Sequence, residues 1–111
     1  MKNLPAREKL DLAEKVAQYL VLAGSLDKTS ALEDYDRANE LSLELGMLLP
    51  TYVYRGMVEA AAHPSGKVNP ASVVIMMRKE LLALEEGDLQ ASHIVLHAPG
   101  PPEEKPRTKA H

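Results

Sequence analysis

The chain has 111 residues, 45% hydrophobic and 26% charged, with a formal net charge of −3. That length carries one modest core, not two independent domains. No cysteine is present, which excludes disulfides, thiolate nucleophiles and cysteine-ligated zinc, and the acidic balance leaves room for only a local nucleic-acid groove.

Aromatic residues make up only 4%, with neither Phe nor Trp. The core must therefore be drawn from Leu, Val, Ala and Met, which favours stacked helices over a β-sandwich. The opening MKNLPAREKLDLAEKV has no apolar run of the kind a signal peptide needs. Runs such as Val73 to Met77 fall far short of the roughly 20 residues that cross a bilayer. The expectation is a soluble, cytoplasmic protein with no membrane partner.

In chain order, Pro5 suits the first turn of a helix, where its missing N–H is not needed. Residues 6–23 follow with a helical pattern. Arg7, Glu8, Asp11, Glu14, Lys15 and Gln18 gather on one side, and Leu10, Leu12, Ala13, Val16, Ala17, Tyr19, Leu20 and Ala23 on the other. That apolar face covers about half the circumference, so this helix should touch neighbours on two sides. Gly24 is placed to close it in a left-handed conformation.

Ser30-x-x-Glu33 reads as a capping box opening a helix over 31–48. Ala31, Tyr35, Ala38, Leu41, Leu45 and Leu48 form its apolar stripe, and Glu33 is spaced to pair with Arg37. Gly46 or Pro50 ends or bends this helix, since proline disfavours helical geometry at Leu49 before it. A third spans 51–62, with Val53, Met57, Ala60 and Ala61 on one side. Gly56 and Ala60 either let another helix approach closely or, for Gly56, merely weaken the helix by ~1 kcal/mol. After the turn residues 63–67, Asn69-Pro70 is an N-cap followed by proline at the first helical position. A fourth helix over 70–86 follows, with Val73, Val74, Met77, Leu81 and Leu84 as its stripe and Gly87 as its end.

The fold expected is all-α, a small bundle of about four helices (6–23, 31–48, 51–62, 70–86) with a flexible C-terminal tail. Residues 1–91 form the helical domain. Residues 92–111 comprise a short β-like segment, SHIVLH, and a proline-rich, charged tail expected to be disordered.

No catalytic or metal constellation stands out. His93 and His97 share a face, but a metal site needs further ligands in fixed geometry. His63 is a turn residue and His111 the last residue. The carboxylate pairs Glu33/Asp34, Glu85/Glu86 and Glu103/Glu104 fall on polar faces or in the tail, and not in a cleft that would separate their pKa values. Ser65-Gly66-Lys67 alone is no phosphate loop. The chain is read as no enzyme, with no cofactor and no metal.

Two functional readings remain. Residues 38–57 have the outline of a helix-turn-helix, with Thr51, Tyr52 and Arg55 as candidate nucleic-acid contacts. The connection Met47-Leu48-Leu49-Pro50 is too apolar for a solvent-facing turn, however, and the reading helix offers one cation where phosphate contacts need several. The favoured reading is a non-enzymatic helical interaction protein, an adaptor or regulatory subunit with a protein partner and self-association as a homodimer. Its contact residues are expected to be Met47, Leu48, Leu49, Tyr52, Ile75, Met76 and Leu82, because four short helices leave few positions buried on every side. The segment 93–97 is a further candidate for docking on a partner as a strand or short peptide.

Overall fold

The computed structural model describes residues 1 and 3–98. Four helices follow one another: α1 (Ala6–Gly24), α2 (Leu32–Leu48), α3 (Thr51–Ala62) and α4 (Pro70–Leu82), then 3-10 turns at Ala83–Glu85 and Ala91–His93. The architecture is the all-α bundle expected from the sequence. Among the described residues there is no strand. The tail expected to be flexible, from Pro99 onward, lies outside the described residues.

α1 is the hub of the bundle. Its Leu12, Val16, Tyr19 and Leu20 join one core with Leu41 and Leu45 of α2, Leu49 of the elbow, Val53, Met57 and Ala60 of α3, and Val73 and Met77 of α4. α1 packs along α2 and α3 and touches α4 only lightly. Leu41, Leu45, Val53, Met57 and Val73 are completely enclosed, and each such side chain contributes about 1.5–3 kcal/mol by leaving water. Leu10, expected on the buried face, is instead 63% exposed.

Polar contacts fix how the helices run. Lys15 Nζ of α1 lies 2.7 Å from Glu44 of α2 and 3.3 Å from Asp11. Three residues later, Gln18 accepts from Arg37 at 3.0 Å. A later residue of α1 thus meets an earlier one of α2, so the two helices are antiparallel. Tyr52 bonds to Glu80 and Gly56 lies under Met76, which makes α3 and α4 antiparallel as well. The close approach at Gly56 is seen: a Cβ there would sit 3.0 Å from both Sδ and Cε of Met76.

The start of α4 follows its local signal. Asn69 Oδ1 accepts from the Ser72 N–H at 3.0 Å, Ser72 Oγ accepts from the Asn69 N–H at 3.0 Å, and Pro70 begins the helix. Other signals are overridden. Ser30 does not cap α2, because its Oγ accepts from the Asp27 N–H at 2.9 Å inside the loop. Ala31 becomes the N-cap without a side-chain bond, and α2 begins at Leu32. Short polar side chains offer the backbone such loop alternatives to a helix. Arg37 pairs with Glu40 at 2.8 Å and with Gln18, not with Glu33, since Gln18 pulls the guanidinium across to α1. Gly24 finishes α1 without a left-handed turn, the positive φ angles among the described residues being those of Ala83 and Gly87.

α4 stops at Leu82, four residues before the expected end. Ala83 turns to φ 51°, while Lys9 Nζ of α1 takes the Leu81 carbonyl at 2.9 Å. Leu84, expected on the apolar stripe, is consequently left fully in solvent. The stretch expected to be β-like opens as the turn Ala91–His93, closed by His93 Nδ1 accepting from the Gln90 N–H at 3.1 Å, and continues without a strand partner.

These contacts set three expected stabilities. Asn69→Ala should cost ~1 kcal/mol in urea unfolding, the typical loss of an N-cap. Gly56→Ala should be nearly neutral, because a helix-propensity gain of ~1 kcal/mol offsets the displacement of the flexible Met76 thioether. Gly56→Val should lose ~1–3 kcal/mol in the same measurement, as overpacked positions do.

Candidate functional site

Lys9 ties α1 to the C-terminal end of α4, and along the rest of their length the two helices leave a groove. It measures about 220 Å³ and is walled by Ala13, Ala17 and Leu20 of α1 and Val74, Leu81 and Leu82 of α4. Arg78 is the one polar side chain in its lining, and the Arg78 guanidinium donates to the Glu86 carbonyl. The groove exists because α1 spends its buried face on α2 and α3, so α4 leans chiefly on α3.

A second, shallower groove runs along the other side of α1, between α1 and α2. Ala17, Val21, Leu22 and Leu41 line it, with Gln18 and Arg37 at the rim. Val21 stands 75% exposed on the ridge beside this groove.

The seven residues expected to make contacts do not form one patch. Met47 and Leu48 are exposed at the elbow, 78% and 56%, whereas Leu49 is buried in the core and is not available as a contact. The reason is geometric: Leu49 follows the last turn of α2 in extended conformation and its side chain turns inward onto the α1 seam. Leu48 borders a depression with Leu4 and Leu12, flanked by Glu8 and Asp11. Met76 packs on the core over Gly56, and Ile75 is half-buried. Leu82 alone of the seven lines the groove between α1 and α4. Val21 lies off the buried face of α1. Its signal in the sequence is the apolar series Leu10, Ala17, Val21, spaced by seven and four on one side of the helix.

Thr51, Tyr52 and Arg55 do lie on the exposed side of α3, together with Glu59. The Tyr52 hydroxyl donates to the Glu80 carboxylate. Burial first, then that hydrogen bond and the charges of Glu80 and Glu86, push the Tyr52 phenol up to about 12. The surroundings of this face are therefore acidic. Tyr54 uses its hydroxyl on Ser42, 2.8 Å away, with its ring against Gly46, where a Cβ would lie 3.4 Å from the ring. Burial, and next the neighbouring Tyr54, also raise the phenol of Tyr19, which is 8% exposed.

Among the described residues no three His, Asp or Glu side chains gather as a metal site, and His93 uses its Nδ1 within its own turn. No described helix is long and apolar enough to cross a membrane. Comparison with protein-family models, with curated proteins and with solved structures finds no match to this chain.

The tyrosines set an alkaline limit. A phenol whose folded pKa lies above its unfolded value of about 10 contributes stability that is intact below pH 10 and lost as pH rises through the folded pKa, near 12 for Tyr52. Stability should fall between pH 10 and 12, and Tyr52→Phe should flatten that fall while leaving the Tyr19 contribution. Urea midpoints measured across this range check the difference in slope.

Proposed function

We propose that the chain is a non-enzymatic helical interaction protein, an adaptor or regulatory subunit that works as a homodimer and receives a helix of a partner protein. One observation carries this reading: the groove between α1 and α4 offers hydrocarbon walls from both helices and a single cation, Arg78. Such a groove suits an amphipathic helix, whose residues at i, i+3, i+4 and i+7 fill the apolar floor. Arg78 favours a partner with a carboxylate beside its apolar stripe, since complementary charge selects orientation as well as affinity.

Leu82 lies on the wall of this groove and is 36% exposed, so a charge there blocks the groove at little cost to the fold. Leu82→Glu should abolish capture of the partner from the native host while shifting the thermal midpoint by no more than a few degrees. Capture unchanged by Leu82→Glu would overturn the groove reading.

Exposure of Thr51, Tyr52 and Arg55 on one side of α3 favours the competing reading of 38–57 as a DNA-binding helix-turn-helix. Glu59, Glu80 and the bond that occupies Tyr52 weigh against it. Duplex DNA retention that falls with salt and is weakened by Arg55→Glu would support that reading. Its expected absence in a filter-binding assay supports the interaction protein.

A further inference from the structure

Away from the elbow, where α1 and α3 end beside the middle of α2, the three helices leave a hollow of about 220 Å³. Ala23 of α1, Ala38 of α2 and Ala61 and Ala62 of α3 wall it, and their short side chains leave the space that larger ones would fill. Its polar lining is Tyr19, Asn39 and Ser42, and no charged side chain takes part. It shares no residue with the groove between α1 and α4.

Tyr19 is the side chain that gives this hollow a chemistry. It is only 8% exposed, so its hydroxyl is largely cut off from bulk water. Ser42 stands beside the phenol and favours its ionised form, as a donor to the phenol oxygen does. Ser42 can donate there while accepting from Tyr54, 2.8 Å away. Burial is the larger effect and holds the phenol above its ordinary pKa, so Tyr19 keeps its own proton. That proton has no acceptor among the described residues. A buried donor without a partner is costly, and such groups are few in folded chains. Asn39 is exposed at the mouth of the hollow, and its amide too makes no hydrogen bond among the described residues.

We propose that this hollow binds a small uncharged carbonyl compound, whose oxygen accepts from the Tyr19 hydroxyl, whose apolar part lies on the alanines and whose outer end meets Asn39. A charged ligand would lose water with nothing of opposite sign to receive it. A purely apolar one would leave the Tyr19 donor as it is. A carbonyl supplies the one missing acceptor, and an amide fits best because its N–H can turn to the Asn39 oxygen. Apolar walls with a few convergent polar groups are the usual make-up of a small-molecule site. This site stands apart from the partner groove and from self-association, and does not depend on either.

Benzamide, with toluene as the probe that lacks an acceptor, tests it by titration into the full chain labelled with nitrogen-15. Amide chemical shifts around Tyr19, Asn39 and Ala62 should move saturably with benzamide, and more weakly with toluene. Tyr19→Phe keeps the ring and removes the donor, and should weaken benzamide by about fivefold, the effect of one hydrogen bond, with toluene unaffected. Ala62→Leu fills the mouth from an exposed position and should abolish both. In the ligand-free chain Tyr19→Phe should leave the urea midpoint unchanged or raise it, because the hydroxyl has no acceptor to lose. A lowered midpoint would mean that the hydroxyl is already satisfied, by the chain or by water, and overturns the proposal. So does benzamide that leaves these shifts unmoved, or that binds Tyr19→Phe as tightly as the wild type.

Discussion

Everything in this molecule depends on the seam where α1 buries Leu12, Val16, Tyr19 and Leu20 against the other helices. α2 and α3 make little contact with each other beyond their joint, and each packs along α1. A 12-residue helix such as α3 is marginal by itself in water, because helix nucleation is costly and propagation repays it slowly. It persists here because Val53, Met57 and Ala60 close onto the seam. α1 thus acts as template for its neighbours, and what it does not cover decides where surface remains.

The elbow shows how a local constraint serves that seam. Pro50 denies Leu49 a helical conformation, and the chain runs extended for that residue before α3 starts. Leu49 turns into the core, while Met47 and Leu48 stay outside. An apolar connection therefore has two roles at once, an interior plug and an exposed edge. Polarity along the sequence does not separate them, since the three residues are alike in kind and differ only in direction.

The parts of the fold legible in sequence are those governed by short-range rules. Helical periodicity locates all four helices, and Asn69-Pro70 marks the start of α4 because the Asn69 Oδ1 is left to the Ser72 N–H while its amide nitrogen donates to the Ser65 and Gly66 carbonyls. The errors occur where a distant or loop group outbids the local signal. Asp27 claims Ser30 from α2, Gln18 claims Arg37 from Glu33, and Lys9 meets the end of α4 across 72 residues of sequence. The site was less legible than the fold. Leu82 is expected at the surface and lies there, yet a groove is a property of two helices, and nothing in α1 alone reveals that α4 will stand off from Ala13 and Ala17. The helix-turn-helix candidates Thr51, Tyr52 and Arg55 were correctly expected on the outside. The acid that engages Tyr52 comes from α4, where no local reading of 38–57 would look.

The tyrosines give this aliphatic bundle something its leucines cannot. Each pair of successive helices has one phenol engaged in a directional bond: Tyr35 to the Asp27 carbonyl after α1, Tyr54 to Ser42 across the elbow, and Tyr52 at the start of α3 to Glu80 near the end of α4. Contacts among Leu, Val and Met are non-directional, and a helix displaced along its axis by one 5.4 Å turn would find much the same hydrocarbon waiting for it. A hydroxyl bond does not survive such a step. With one at each hairpin, the bundle carries a registration mark at every fold of the chain, and uniqueness of alignment is supplied by polar tips at the edges while cohesion comes from the oil between them.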